Sequence, residues 1–112
     1  MYTIKIRLKD GKYYTVLEDD TISLQNPCTK QKKLFDDRIS IYQYINYWED
    51  KAYEYAKYIV NIKEDITRRI VYSYVNDICK DTVLVHCINN KLNENHDELI
   101  ESKYIDYVVE KI

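Results

Sequence analysis

Between Ile39 and Cys79, the residues Ile41, Ile45, Trp48, Ala52, Tyr55, Ile59, Ile62 and Ile66 recur at alternating steps of four and three. That spacing lays one apolar stripe along a single helix face. Such a stripe is buried against helices of its own chain or against a second chain. From Cys28 to Ile112, 85 residues pass without a Gly or a Pro. Glycine costs roughly 1 kcal/mol and proline roughly 3 in a helix interior, so their absence permits long helices. A long or kinked helical segment over 36–80 is therefore expected. Asp36 or Asp37 stands where an N-cap is needed and brings the acidic charge that suits a helix N-terminus. Beyond Ile66 the repeat would fall on Arg69, Ser73 and Asn76, while the apolar residues move to Ile70, Tyr74 and Ile78. This predicts a break or kink near Asn61, where Asn61 with Glu64 resembles a capping box; the alternative is continuation through a stutter.

Ahead of this segment, Tyr2, Ile4, Ile6 and Leu8 alternate with Thr3, Lys5 and Arg7, the pattern of a half-buried strand. Asp10-Gly11 is the pair that a two-residue type I′ turn favours, because both central residues need positive φ. Closing the chain there pairs Leu8 with Tyr13, Ile6 with Thr15 and Ile4 with Leu17 on the buried face. The outer face then shows Lys5, Arg7, Lys9, Lys12 and Tyr14, with Arg7 opposite Tyr14. Ile22 and Leu24 offer a short third strand, so the N-terminal unit spans about 1–25. Residues 82–88 (Thr-Val-Leu-Val-His-Cys-Ile) read either as a buried strand, by their β-branched content, or as a helix end. Leu99, Ile100, Tyr104, Tyr107 and Val108 predict an amphipathic C-terminal helix over 95–111. The expected fold is a single α+β domain over 1–112. It consists of an N-terminal antiparallel β-hairpin or three-stranded sheet, followed by two or three helices including a long central one.

The chain has 112 residues, enough to bury a core without metal or disulfide staples. With 46% apolar and 32% charged residues it fits neither a disordered nor a membrane class. No apolar run approaches the roughly 20 residues a membrane span needs. Met1 to Lys5 alternates, unlike the apolar core of a secretory signal. A cytoplasmic location in the producing or infected cell is expected. Cys28, Cys79 and Cys87 contain no CxxC pair, so reduced thiols are expected too. Ile, Lys, Asn and Tyr supply 49 residues and Ala, Gly and Pro only four, the bias of an AT-rich genome such as a phage or low-GC bacterium carries.

Catalytic chemistry finds little footing. His86-Cys87, with Cys79 and His96, lacks the close, regular spacing of a zinc site. Adjacent side chains on a strand would also point to opposite faces, so no base converges on Cys87. The acidic pairs Asp19-Asp20, Asp36-Asp37, Glu49-Asp50 and Glu64-Asp65 are expected in turns or on solvent faces, without the burial that acid/base work by paired carboxylates requires. Gly11 is the only glycine, so no Gly-rich loop cradles phosphate. No enzyme, metal or cofactor is expected.

Nucleic-acid binding has more material. Lys5, Arg7, Lys9 and Lys12 with Tyr14 form a basic, aromatic strand face, and Lys30, Lys32 and Lys33 a basic patch. Against it stand a net charge of −2 and an acidic pI of about 5.7. The feature furthest from ordinary composition is tyrosine, 13 residues against one Phe and one Trp. Tyr42, Tyr44, Tyr47, Tyr53, Tyr55 and Tyr58 crowd around Trp48, with Tyr44, Tyr47 and Tyr58 on a stripe flanking the seam. Tyr is enriched at interfaces because its body is apolar and its tip polar. The expected partner is therefore another protein, met through Tyr44, Tyr47, Trp48, Tyr53 and Tyr58. A homodimer through the central helix is a further expectation. The functional expectation is a non-enzymatic binder, in the style of a phage or mobile-element inhibitor (anti-CRISPR-like) of a host or defence protein. The alternative is a small nucleic-acid-binding regulator.

Overall fold

A computed structural model describes residues 1–8, 10–24, 31–78, 82–92 and 105–112. Their order is β1 (Tyr2–Arg7), β2 (Tyr13–Val16), β3 (Ile22–Ser23), α1 (Arg38–Val60), α2 (Asp65–Ile78), α3 (Val83–Lys91) and β4 (Tyr107–Lys111). The four strands form one antiparallel sheet in the order β3-β2-β1-β4. The fold is α+β. Ile4, Ile6 and Val16 of the sheet, Ile41, Ile45, Ala52, Ala56 and Ile59 of α1, and Val83, Cys87 and Ile88 of α3 share one core. Each fully buried isoleucine contributes roughly 1.5 to 3 kcal/mol, so this cluster, rather than helix propensity, holds α1 in place.

The hairpin forms, but in a different register. The Leu8 carbonyl accepts from the Gly11 N–H at 2.9 Å, and the Leu8 N–H donates to the Lys12 carbonyl at 3.1 Å. Gly11 has φ +80. This is the three-residue connection that ends on a left-handed glycine, not the two-residue turn expected from Asp10-Gly11. The pairs are Lys5 with Thr15, Ile6 with Tyr14 and Arg7 with Tyr13. A one-residue slip exchanges the faces of a strand. Tyr14 accordingly joins the core side and Tyr13 the side of Lys5 and Arg7, the reverse of the expectation. Val16, not Leu17, is buried with Ile4 and Ile6.

The C-terminal helix expected over 95–111 is corrected at its end, since Tyr107–Lys111 is a strand beside β1. It pairs Tyr2 with Lys111, Ile4 with Val109 and Ile6 with Tyr107. The four-residue apolar spacing that suggested a helix is outweighed here by the free edge of β1, whose Lys5 and Arg7 meet Glu110 and Asp106. Residues 95–104, with Leu99, Ile100 and Tyr104, lie outside the described residues.

Residues 83–91 resolve the open choice as a helix of their own. The Thr82 hydroxyl caps it by accepting from the Val85 N–H at 3.3 Å. Val83, Cys87 and Ile88 are buried at helical spacing, so packing overrides the β-branched preference. Asp37 caps α1, its carboxylate accepting from the Ser40 N–H at 2.7 Å.

The break expected near Asn61 is present, but Asn61 serves α1 as its C-cap rather than starting the next helix. Its N–H donates to the Lys57 carbonyl at 3.2 Å. The expected seam holds only in part. The buried residues of α1 are Ile41, Ile45, Glu49, Ala52, Ala56 and Ile59, five steps over eighteen residues. Glu49 and Ala56 thus stand in the interior where the expected stripe had Trp48 and Tyr55. Tyr55 is 46% and Ile66 68% exposed. Among the described residues, no helix is long and apolar enough to cross a membrane.

Candidate functional site

With one side of α1 buried, Tyr44, Tyr47, Lys51, Tyr55 and Tyr58 follow one another at steps of three and four along a flank. The flank is anchored at its N-terminal end. The Tyr44 hydroxyl donates to Asp20 Oδ1 at 2.6 Å, and Lys33 Nζ lies 3.1 Å from the same carboxylate and 5.1 Å from the centre of the Tyr44 ring. Burial and the Asp20 hydrogen bond together raise the Tyr44 pKa above the ordinary phenol value. Phe35 meets the Tyr44 ring edge-on at 5.2 Å, and Trp48 does so at 6.3 Å. Asp20 itself holds φ 65, and its carbonyl accepts from the Val83 N–H at 2.9 Å. The β2–β3 turn, α1 and the start of α3 thus meet at one aspartate.

The flank then opens toward solvent. Tyr47 packs edge-on against Trp48 at 5.1 Å, with Lys51 Nζ 5.8 Å from its ring centre. Tyr47 is 54% and Tyr58 64% exposed. Among the described residues, Lys51, Glu54, Tyr55 and Tyr58 line an open groove of about 350 Å³. Tyr44 and Trp48 are half-buried beneath this surface, and Tyr53 is half-buried beyond the opposite edge of the seam. The flank therefore brings Tyr47 and Tyr58 to the surface, sets Trp48, itself in contact with Tyr44, against Tyr47, and leaves Tyr53 apart. Tyr55, assigned to the seam by spacing alone, belongs to this exposed row.

The basic residues are differently placed. Lys5 Nζ lies 3.1 Å from Glu110 of β4, and Arg7 3.6 Å from Asp106, the residue just before that strand. Lys33 is taken up by Asp20. Thr3 and Thr15, on the same side of the sheet as Lys5, are buried. Tyr14 turns to the core side, its hydroxyl donating to Asp10 Oδ2 at 2.6 Å and holding that carboxyl below its ordinary pKa. Lys12 is exposed and Lys32 half-buried, while Lys9 and Lys30 lie outside the described residues.

His86 and Cys87 stand on α3, not on a strand. Burial pushes the Cys87 thiol up, the opposite of what an attacking thiolate needs. Cys28, Cys79 and His96 lie outside the described residues, among which no group of three His, Cys, Asp or Glu side chains could hold a metal. Glu49 corrects the expectation of solvent-facing acids: it is 4% exposed and forms an ion pair with Lys91 of α3, itself 3% exposed. Its position four residues after Ile45 and three before Ala52 puts it on the same helix face as these two, a sequence signal for its burial. No family model, no curated protein and no solved structure matches this chain.

Proposed function

We propose that this protein acts without catalysis, by binding another protein through the open part of the α1 flank, and that it serves a phage or mobile element by occluding a host or defence protein. The observation that carries the reading is the row of Tyr47, Tyr55 and Tyr58, between 46% and 64% exposed, beside a groove edged by Lys51 and Glu54. Phenols with an apolar body and a hydrogen-bonding tip, held on a rigid helix, are the side chains that dominate protein interfaces. Trp48 packs against Tyr47 and limits the side-chain freedom that ring loses on binding. The AT-rich residue usage supports the proposed origin.

The test uses the full chain with Tyr47→Ser and Tyr58→Ser together. A folded variant that no longer retains the host protein captured by the parent, while Tyr13→Ser retains it, is the expected result. Loss of folding, or undiminished capture of the same protein, would overturn the reading. Salt-dependent binding to mixed DNA and RNA that disappears with Lys12→Glu and Lys32→Glu would replace it with the nucleic-acid alternative.

A further inference from the structure

The outer face of α2 carries a second surface, independent of the tyrosine flank. Arg68, Val71, Tyr72, Val75 and Asn76 of this helix are half-buried, and Tyr72 donates its hydroxyl to Asn89 of α3 at 2.7 Å. The side turned away from them displays Ile66, Ile70 and Tyr74, which are 68%, 63% and 64% exposed. Two isoleucines and a tyrosine in one row at steps of four are more than the scattered apolar residues of an ordinary surface.

This row is symmetric about Ile70. Exposed Lys63, two residues before α2, stands at one end, three residues ahead of Ile66; exposed Asp77 stands at the other, three residues after Tyr74. Neither has an ion-pair partner among the described residues. The order is thus cation, apolar, apolar, apolar, anion, with steps of three, four, four and three.

We infer that α2 pairs antiparallel with α2 of a second copy of this chain, across a two-fold axis through Ile70. The axis sets Ile70 against Ile70 of the second copy and Ile66 against Tyr74, and it brings Lys63 to Asp77 at both ends. A parallel pairing would instead align Lys63 with Lys63 and Asp77 with Asp77, so charge complementarity selects the antiparallel one. Antiparallel helices also oppose their dipoles. Arg69 sits beside the row and is already paired with Asp65 at 3.1 Å. A contact made by one helix from each chain is small by the measure of stable dimers, so a weak, concentration-dependent association is the form it takes.

The experiment is sedimentation equilibrium of the full chain from about 1 µM to about 1 mM, the range in which so small a contact assembles. The mass is expected to rise from 13.6 kDa toward twice that value. Ile70→Glu places two carboxylates on the axis and is expected to hold the chain at monomer mass. Its fold is checked by circular dichroism, and the exposed site makes unfolding unexpected. Lys63→Asp or Asp77→Lys alone is expected to weaken the dimer about 3- to 10-fold, and the two together to restore it. Monomer mass over the whole range, a dimer indifferent to Ile70→Glu, or a double exchange no tighter than the single ones would each overturn the inference.

Discussion

Glu49 of α1 and Lys91 of α3, 42 residues apart in sequence, form an ion pair with both side chains less than 5% exposed. The Cys87 thiol lies near enough for both charges to act on it. A buried pair of this kind contributes little net stability compared with apolar replacements, but each charge strongly requires the other. It fixes which residues of α1 and α3 lie together.

Lys91→Met is expected to lower unfolding free energy by about 3 to 5 kcal/mol, because the Glu49 carboxylate then stays buried without its cation. Glu49→Met combined with Lys91→Leu is expected to recover most of that loss. Urea denaturation of the two variants beside the parent measures both. Equal destabilisation by the single and double changes would contradict the pairing.

Tyr44 and Tyr58 lie on the same helix flank but should respond differently to substitution. Tyr44→Phe removes the hydroxyl that donates to Asp20 and is expected to cost about 1 kcal/mol. Tyr58→Ser, at a 64% exposed position, is expected to stay within about 0.5 kcal/mol of the parent. Thermal melts with matched calorimetric enthalpies distinguish the two.

The Asp37 cap predicts an acid response of defined sign. The Ser40 N–H holds this carboxyl below its ordinary value near 3.8. The folded pKa is thus below the unfolded one. The stabilisation is fully present above the unfolded value and disappears as pH falls through the folded one. Asp37→Asn keeps an acceptor but no titratable group, so its stability should fall less steeply than the parent's below about pH 4. Parallel slopes in an acid titration of the melting temperature would refute this assignment.

Gly11→Ala is expected to destabilise the hairpin by about 1 to 2 kcal/mol, through backbone conformation alone. An added Cβ would meet only Arg7 Nη2, at 4.0 Å, so crowding is not the cause. Gly11→Asn should lose less, since Asn tolerates the left-handed region better. Chemical denaturation ranks the three, and an unchanged alanine variant would speak against the three-residue turn.

Local patterns decided much of this molecule. Alternation from Tyr2 to Leu8, an aspartate ahead of a long glycine-free stretch and the apolar phase change beyond Ile66 were enough for a hairpin, a capped helix and its interruption. These features act within a few residues, through backbone sterics and side-chain periodicity, so the chain determines them before it folds. The crowding of tyrosine along α1 is equally a property of the sequence.

Tertiary structure alone decided the rest. Whether Asp10-Gly11 closes a two- or three-residue turn depended on which side of β2 the core could accept. Whether residues 107–111 coil or extend depended on the open edge of β1. Glu49 could enter the interior only because α3 brought Lys91 to it. Tyr44 was drawn under the surface by Asp20, while Tyr58 was not. In each case the local preferences differ by no more than about 1 kcal/mol, and burial against a distant segment outweighs that difference.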